Sequence, residues 1–120
     1  FGKALCLDNE NLINVVTAIS GSGPAYIFYL VEVLSKIGMN QGLSAESAKV
    51  LALETLIGSA MLLESSNTDP KILRQNVTSP GGTTEAGLEI LASKKNGLFD
   101  LLNNTISCAK ERAIYLNSNN

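Results

Sequence analysis

The 120-residue chain has no histidine and no tryptophan, only two cysteines, and aromatic residues at just 5% of its positions. Without histidine the commonest general base and the commonest metal ligand are missing together. A Ser-His-Asp hydrolase is therefore excluded, whatever Ser20, Ser22 and Ser79 do. Cys6 and Cys108 stand far apart with no C-x-x-C pair, which argues against a metal centre. They read as two free thiols of a reducing compartment, the cytoplasm, with a disulfide between them as the alternative. Positive charge is also scarce: nine Lys and Arg against eleven Asp and Glu leave a net charge of −2. The cations are scattered rather than striped, so there is no electrostatic footprint for nucleic acid. No apolar run approaches the roughly 20 residues that a membrane-spanning helix needs. No basic stretch followed by an apolar core marks a signal peptide, and an opening on "FGKALCLDNEN" without Met reads as a fragment that starts mid-protein.

What is present is helical patterning. Residues 2–8 form a short apolar stretch that reads as an extended tail or an edge strand. From there Leu12, Ile13, Val16 and Ile19 recur at helical spacing and end at "SGSGP", where Gly21 and Gly23 break the helix. Pro24 suits the first turn of a second helix carrying Ile27, Phe28, Leu30, Val31, Leu34 and Ile37 and stopping at Gly38. Tyr26, Phe28 and Tyr29 read as packing residues. Ser44 is a good N-cap, with Glu46 in the first turn, for a third helix from Ala45 to Ser65. Between Val50 and Leu63 of that helix only Glu54 is charged. A helix apolar on every face must be buried on every face. The pattern predicts a homodimer with this helix at its centre. Asp69-Pro70 opens a short fourth helix through Leu73, a fifth runs from about Gly82 to Lys94 with Gly97 beyond its end, and a sixth carries Leu98 to Ala113. The expected fold is all-α, about six helices in one domain over residues 10–120.

Between the fourth and fifth helices lies "VTSPGGTTEAGLEIL". The first turn of any helix has amides without carbonyl partners and partial positive charge. Gly81 and Gly82 put no Cβ in the way of an anion, and Thr83 and Thr84 add hydroxyls. No phosphate-loop lysine follows, which favours a carboxylate over a phosphate. The plainer alternative is a turn whose threonines are merely caps. "SGSGPAY" likewise reads as a tight turn. It fails as a dinucleotide fingerprint because Tyr26 occupies the sixth position and no strand leads in. Glu85 and Glu89, four apart, read as a solvated helix face.

Taken together, "VTAISGSGPAY" (16–26), "GMNQGL" (38–43) and "VTSPGGTTEAGLEIL" (77–91) resemble the C-terminal, dimerisation half of the Δ1-pyrroline-5-carboxylate reductases. The resemblance covers essentially the whole chain, with departures at Asn14, where relatives often have Asp, and Glu54, where Gln is common. It implies NADPH or NADH bound mainly by a separate N-terminal nucleotide domain, of which residues 1–9 would be the connecting remnant. It also implies an interleaved homodimer or a higher oligomer built of dimers. The reaction implied is reduction of a cyclic imine to L-proline, the last step of proline biosynthesis. By this resemblance Ser79, Gly81, Gly82, Thr83 and Thr84 form the substrate site, with the amides around Gly81, Gly82 and Thr83 holding the carboxylate and the Thr84 hydroxyl facing the ring nitrogen as catalytic group. Ser22, Gly23, Pro24, Asn76 and Val77 flank the cofactor, and no metal is involved. Two other readings stand beside it: a non-catalytic helical dimer that binds a small carboxylate, and a dehydrogenase acting on β-hydroxy acids, a class that usually places a lysine on its catalytic helix and against which the SPGGTT loop argues.

Overall fold

The computed structural model describes residues 9–119. The apolar stretch of residues 2–8 and Cys6 lie outside them. Among the described residues there is no strand. Six α-helices follow one another: α1 (Glu10–Val16), α2 (Gly23–Asn40), α3 (Ala45–Ser65), α4 (Pro70–Asn76), α5 (Thr83–Leu91) and α6 (Leu98–Ser118), with a π turn at Thr17–Gly21 between the first two. They sort into two compact units, one formed by residues 9–25 and 91–119, the other by Tyr26–Ile90.

In the first unit α1 and the π turn pack on α6. Small residues make the seam: Ala18 and Ala113 are its buried apolar members. Asn14, the buried polar residue of this unit, accepts a 2.8 Å hydrogen bond from the Asn117 side-chain amide. Burial of that side chain is tolerable because its partner comes with it. α1 starts where Asn9 caps the Asn11 amide at 2.7 Å. Rather than simply breaking at Gly21, it widens into the π turn. The Thr17 hydroxyl donates to Ile13 O and the Ser20 hydroxyl to Val16 O, both at 3.0 Å, and Ser22 N reaches back five residues to Thr17 O. Such hydroxyl back-bonding competes with the α-helical ladder and loosens it. Gly23 is not a breaker but the first residue of α2, followed by Pro24 in its first turn. α6 runs past Ala113 to Ser118, where Asn119 Nδ2 donates to Tyr115 O at 2.8 Å.

In the second unit α2 does not stop at Gly38. It continues to Asn40 and closes in a Schellman motif: Leu43 N donates to Gly38 O, Gly42 N donates to Met39 O, and Gly42 takes φ 107°. Gly38 is small for another reason. A Cβ there would lie 3.1 Å from Ala48 Cβ on α3, so glycine is what lets the two helices approach. α3 matches the expected bounds, with the Ser44 hydroxyl accepting from Ser47 N at 3.1 Å. α4 is longer than expected, ending at Asn76 rather than Leu73, with Asp69 capping Lys71 N at 2.8 Å and Thr78 Oγ1 closing the last turn on Arg74 O at 2.6 Å. α5 is shorter, ending at Leu91.

The residues after α5 belong to the first unit and form a turn in which Asn96 adopts φ 59° and its amide is held by Asp100 Oδ2 at 2.9 Å. Gly97 is not the cap of α5 but the N-cap of α6, and it has no room for a side chain: a Cβ would stand 2.3 Å from Ser93 O.

Among the described residues neither unit buries a large side chain fully. On α3 only Ala48 and Ala52 are buried, while Val50, Leu51, Ile57, Met61, Leu62 and Leu63 remain exposed. α2 is alike: Phe28 and Tyr29, expected to pack, are exposed, Phe28 at 71%. Covering one such side chain is worth about 1.5–3 kcal/mol, so these exposed faces of α2 and α3 hold a large unrealised stabilisation among the described residues. No helix of the described residues is long and apolar enough to cross a membrane.

Candidate functional site

The candidate site is the entry to α5, and it is built from a tight turn. Ser79 O accepts from Gly82 N at 3.0 Å, Pro80 takes the second position and Gly81 the third with φ 74°. Proline followed by a residue of positive φ is the signature of a type II turn, and it explains the Pro-Gly order. Gly82 then opens the helix, its carbonyl accepting from Ala86 N at 3.2 Å. A Cβ on Gly82 would come within 3.2 Å of Ser79 O, so the second glycine keeps the turn closed.

Two of the three amides expected to hold a ligand are already engaged. Gly82 N is spent on Ser79 O, and Gly81 N donates to Glu85 Oε1 at 3.0 Å. Only the Thr83 amide of that set is open. The available row is shifted along the chain: among the described residues the amides of Thr83, Thr84 and Glu85 have no acceptor. Those three define the mouth of the helix, where the dipole is most positive. The Thr83 and Thr84 hydroxyls make no hydrogen bond back to the backbone among the described residues, and both residues are exposed. A carboxylate meeting this end finds three donors in a row and two hydroxyls beside them.

Glu85 departs from the sequence expectation. Instead of joining Glu89 on a solvated face it is half-buried and reaches back to the turn. The signal for this lies in its position, third in the helix after a small N-cap, where an acidic side chain returns in a capping box.

The same unit carries Asn76 and Val77, at the end of α4 and its cap. Both are exposed, and Val77 N is shared between Arg74 O and Gln75 O. Ser22, Gly23 and Pro24 belong to the other unit, at the head of α2. There Ser22 N and Ser22 O are both used, by Thr17 O and Ala25 N. Cys108, on α6, is an exposed free thiol. Among the described residues no three of His, Cys, Asp or Glu come together as a metal cluster would require.

Comparison with known proteins gives these features a context. The family model for pyrroline-5-carboxylate reductase dimerisation matches residues 10–116. The pyrroline-5-carboxylate reductase of Pseudomonas aeruginosa is 44% identical over 115 residues, covering 96% of this chain and 41% of the relative. Among solved structures, the reductase of Coxiella burnetii superposes with a TM-score of 0.83 at 38% identity, over 92% of this chain and 40% of that one. The Plasmodium falciparum pyrroline carboxylate reductase with NADP bound gives 0.78 at 36% identity, over 87% and 39%. The chain thus spans about two-fifths of the length of the relatives it matches.

Proposed function

Since the chain belongs to the pyrroline-5-carboxylate reductase dimerisation family, we propose that it is the helical, substrate-holding part of an enzyme that reduces 1-pyrroline-5-carboxylate to L-proline. The observation that carries this reading is the open row of amides at Thr83, Thr84 and Glu85, flanked by two free hydroxyls. The substrate is a five-membered cyclic imine bearing one carboxylate. It needs one anion seat and one proton on nitrogen, with no nucleophile or metal.

The nicotinamide of NADPH or NADH, when bound, supplies the hydride. The described residues contain no strand-turn-helix to hold its pyrophosphate, so this chain's part is to position the substrate. The Thr83, Thr84 and Glu85 amides take the carboxylate oxygens, Ser79 and the Gly81–Gly82 backbone wall the seat, and the Thr84 hydroxyl gives or shares a proton at the ring nitrogen. Holding the imine in one orientation removes freedom that would otherwise have to be lost at each reaction. Asn76 and Val77, at the foot of α4, and Ser22, Gly23 and Pro24, at the head of α2, are the residues we assign to the cofactor side. We place the enzyme in the cytoplasm, where an exposed Cys108 stays reduced.

The apolar cover that α2 and α3 lack is, on this reading, a second copy of the chain, interleaved with the first, and such dimers can assemble further. Ala60, exposed in the single chain, stands in the apolar run of α3. Ala60→Glu should leave a monomer by light scattering, because a buried unpaired charge costs several kcal/mol; an intact dimer would remove α3 from the interface. Activity is decided by assaying the full-length protein with pyrroline-5-carboxylate and each nicotinamide cofactor. Turnover is expected there and none from the 120-residue chain alone; a full-length protein without imine reduction overturns the proposal.

A further inference from the structure

Resting on that reading, we infer that Glu85 is a positioning residue for the substrate seat: its carboxylate holds the Gly81 amide and thereby fixes the turn from which the open amides project. An acidic side chain third in a helix ordinarily returns to the N-cap amide. Here that amide, of Gly82, is taken by Ser79 O, and Glu85 Oε1 reaches one residue further, to Gly81 N at 3.0 Å. The bond therefore spans the junction, tying the turn to the first turn of α5. It falls at two consecutive glycines, of which Gly81 sits at φ 74° with open space where a Cβ would be. Glycine backbone without such a tether samples many conformations.

The geometry also separates two roles that one carboxylate could have. Glu85 Oε1 engages Gly81 N, not the amides of Thr83, Thr84 or its own, so it leaves the open row clear. A tether needs an acceptor oxygen but not a charge; a built-in competitor for the seat needs the charge. Glu85→Gln keeps the oxygen and Glu85→Ala removes it. Loss of one such hydrogen bond corresponds to about a tenfold change in an equilibrium.

In the full-length enzyme Glu85→Ala should raise KM for pyrroline-5-carboxylate about tenfold, while kcat and KM for the nicotinamide stay within about threefold and Glu85→Gln stays near wild type. The second readout is hydrogen exchange at the Gly81 amide, followed by NMR with labelled glycine. Exchange should accelerate about tenfold in Glu85→Ala and little in Glu85→Gln. Unchanged Gly81 exchange in Glu85→Ala overturns the tether. Unchanged KM with faster exchange overturns its link to the seat, and tighter substrate binding in both variants makes Glu85 a competitor instead. A wild-type enzyme that reduces no imine defeats the functional reading, whereas the exchange measurement still decides what Glu85 does.

Discussion

Two helix junctions of nearly the same composition, Ser20–Pro24 and Ser79–Thr84, handle their hydrogen bonds in opposite ways. In the first the Thr17 and Ser20 hydroxyls are turned back onto carbonyls of α1, and Ser22 N is bonded across the π turn to Thr17 O. In the second the turn is closed by Gly82 N and Gly81 N, and everything after it stays open: two hydroxyls and three successive amides. Serine, glycine and proline alone do not make a binding loop. What separates the two is where the chain goes next. After Gly21 a loosened helix passes almost directly into another, so helical carbonyls are at hand for Ser22 N and the Thr17 and Ser20 hydroxyls; after Pro80 the positive φ of Gly81 swings the backbone round and starts a helix with no helical turn before it to supply acceptors to Thr83, Thr84 and Glu85.

That contrast can be broken by mutation, and the largest effect is expected at the open junction. Thr84→Ala in the full-length enzyme should cut kcat about 100-fold, the low end for losing a positioned proton donor, with cofactor KM unchanged. Turnover equal to wild type would remove Thr84 from the chemistry. Next is Gly81→Ala, which forces an L-residue into the left-handed region. It should cost about 1–2 kcal/mol of stability in thermal or denaturant unfolding and weaken substrate binding, because the Glu85 tether is displaced with it. Smallest is Gly23→Ala at the closed junction. Among the described residues no side chain or other helix lies within 4 Å of the added Cβ, and the backbone is not left-handed. The change should be neutral or stabilise by up to about 0.5–1 kcal/mol. A loss there as large as that of Gly81→Ala would mean that the first junction is held as tightly as the second.

The same residues explain how much of the fold and the site is legible in the amino-acid sequence. Bounds of α3, the Ser44 and Asp69 caps and the Pro24 and Pro70 starts depend on neighbours within a few residues, and all can be read directly. Gly38 cannot. A glycine after an apolar periodic segment looks like a stop, yet here it is a packing contact with Ala48, ten residues away, and Gly42 is the stop. Gly97 repeats the lesson, its smallness demanded by the Ser93 and Leu91 carbonyls rather than by φ. At the candidate site the loop and its threonines are visible, but the choice of amides is not. Which donors stay open depends on two hydrogen bonds, Gly82 N to Ser79 O and Gly81 N to Glu85 Oε1, that cross the turn and leave no periodic trace. Glu85 is hidden by Glu89, because two carboxylates four apart look like one exposed stripe.

What has to hold for all of this is that the helix opening after Pro80 receives a carboxylate on its own amides. Titrating the full-length protein with L-proline and following backbone amide resonances asks that question in one experiment. The Thr83, Thr84 and Glu85 amides should shift together and saturate, while those of Gly21 and Ser22 stay in place. Shifts confined to Gly21 and Ser22, with Thr83 to Glu85 unmoved, would put the carboxylate at the other junction and contradict the site described.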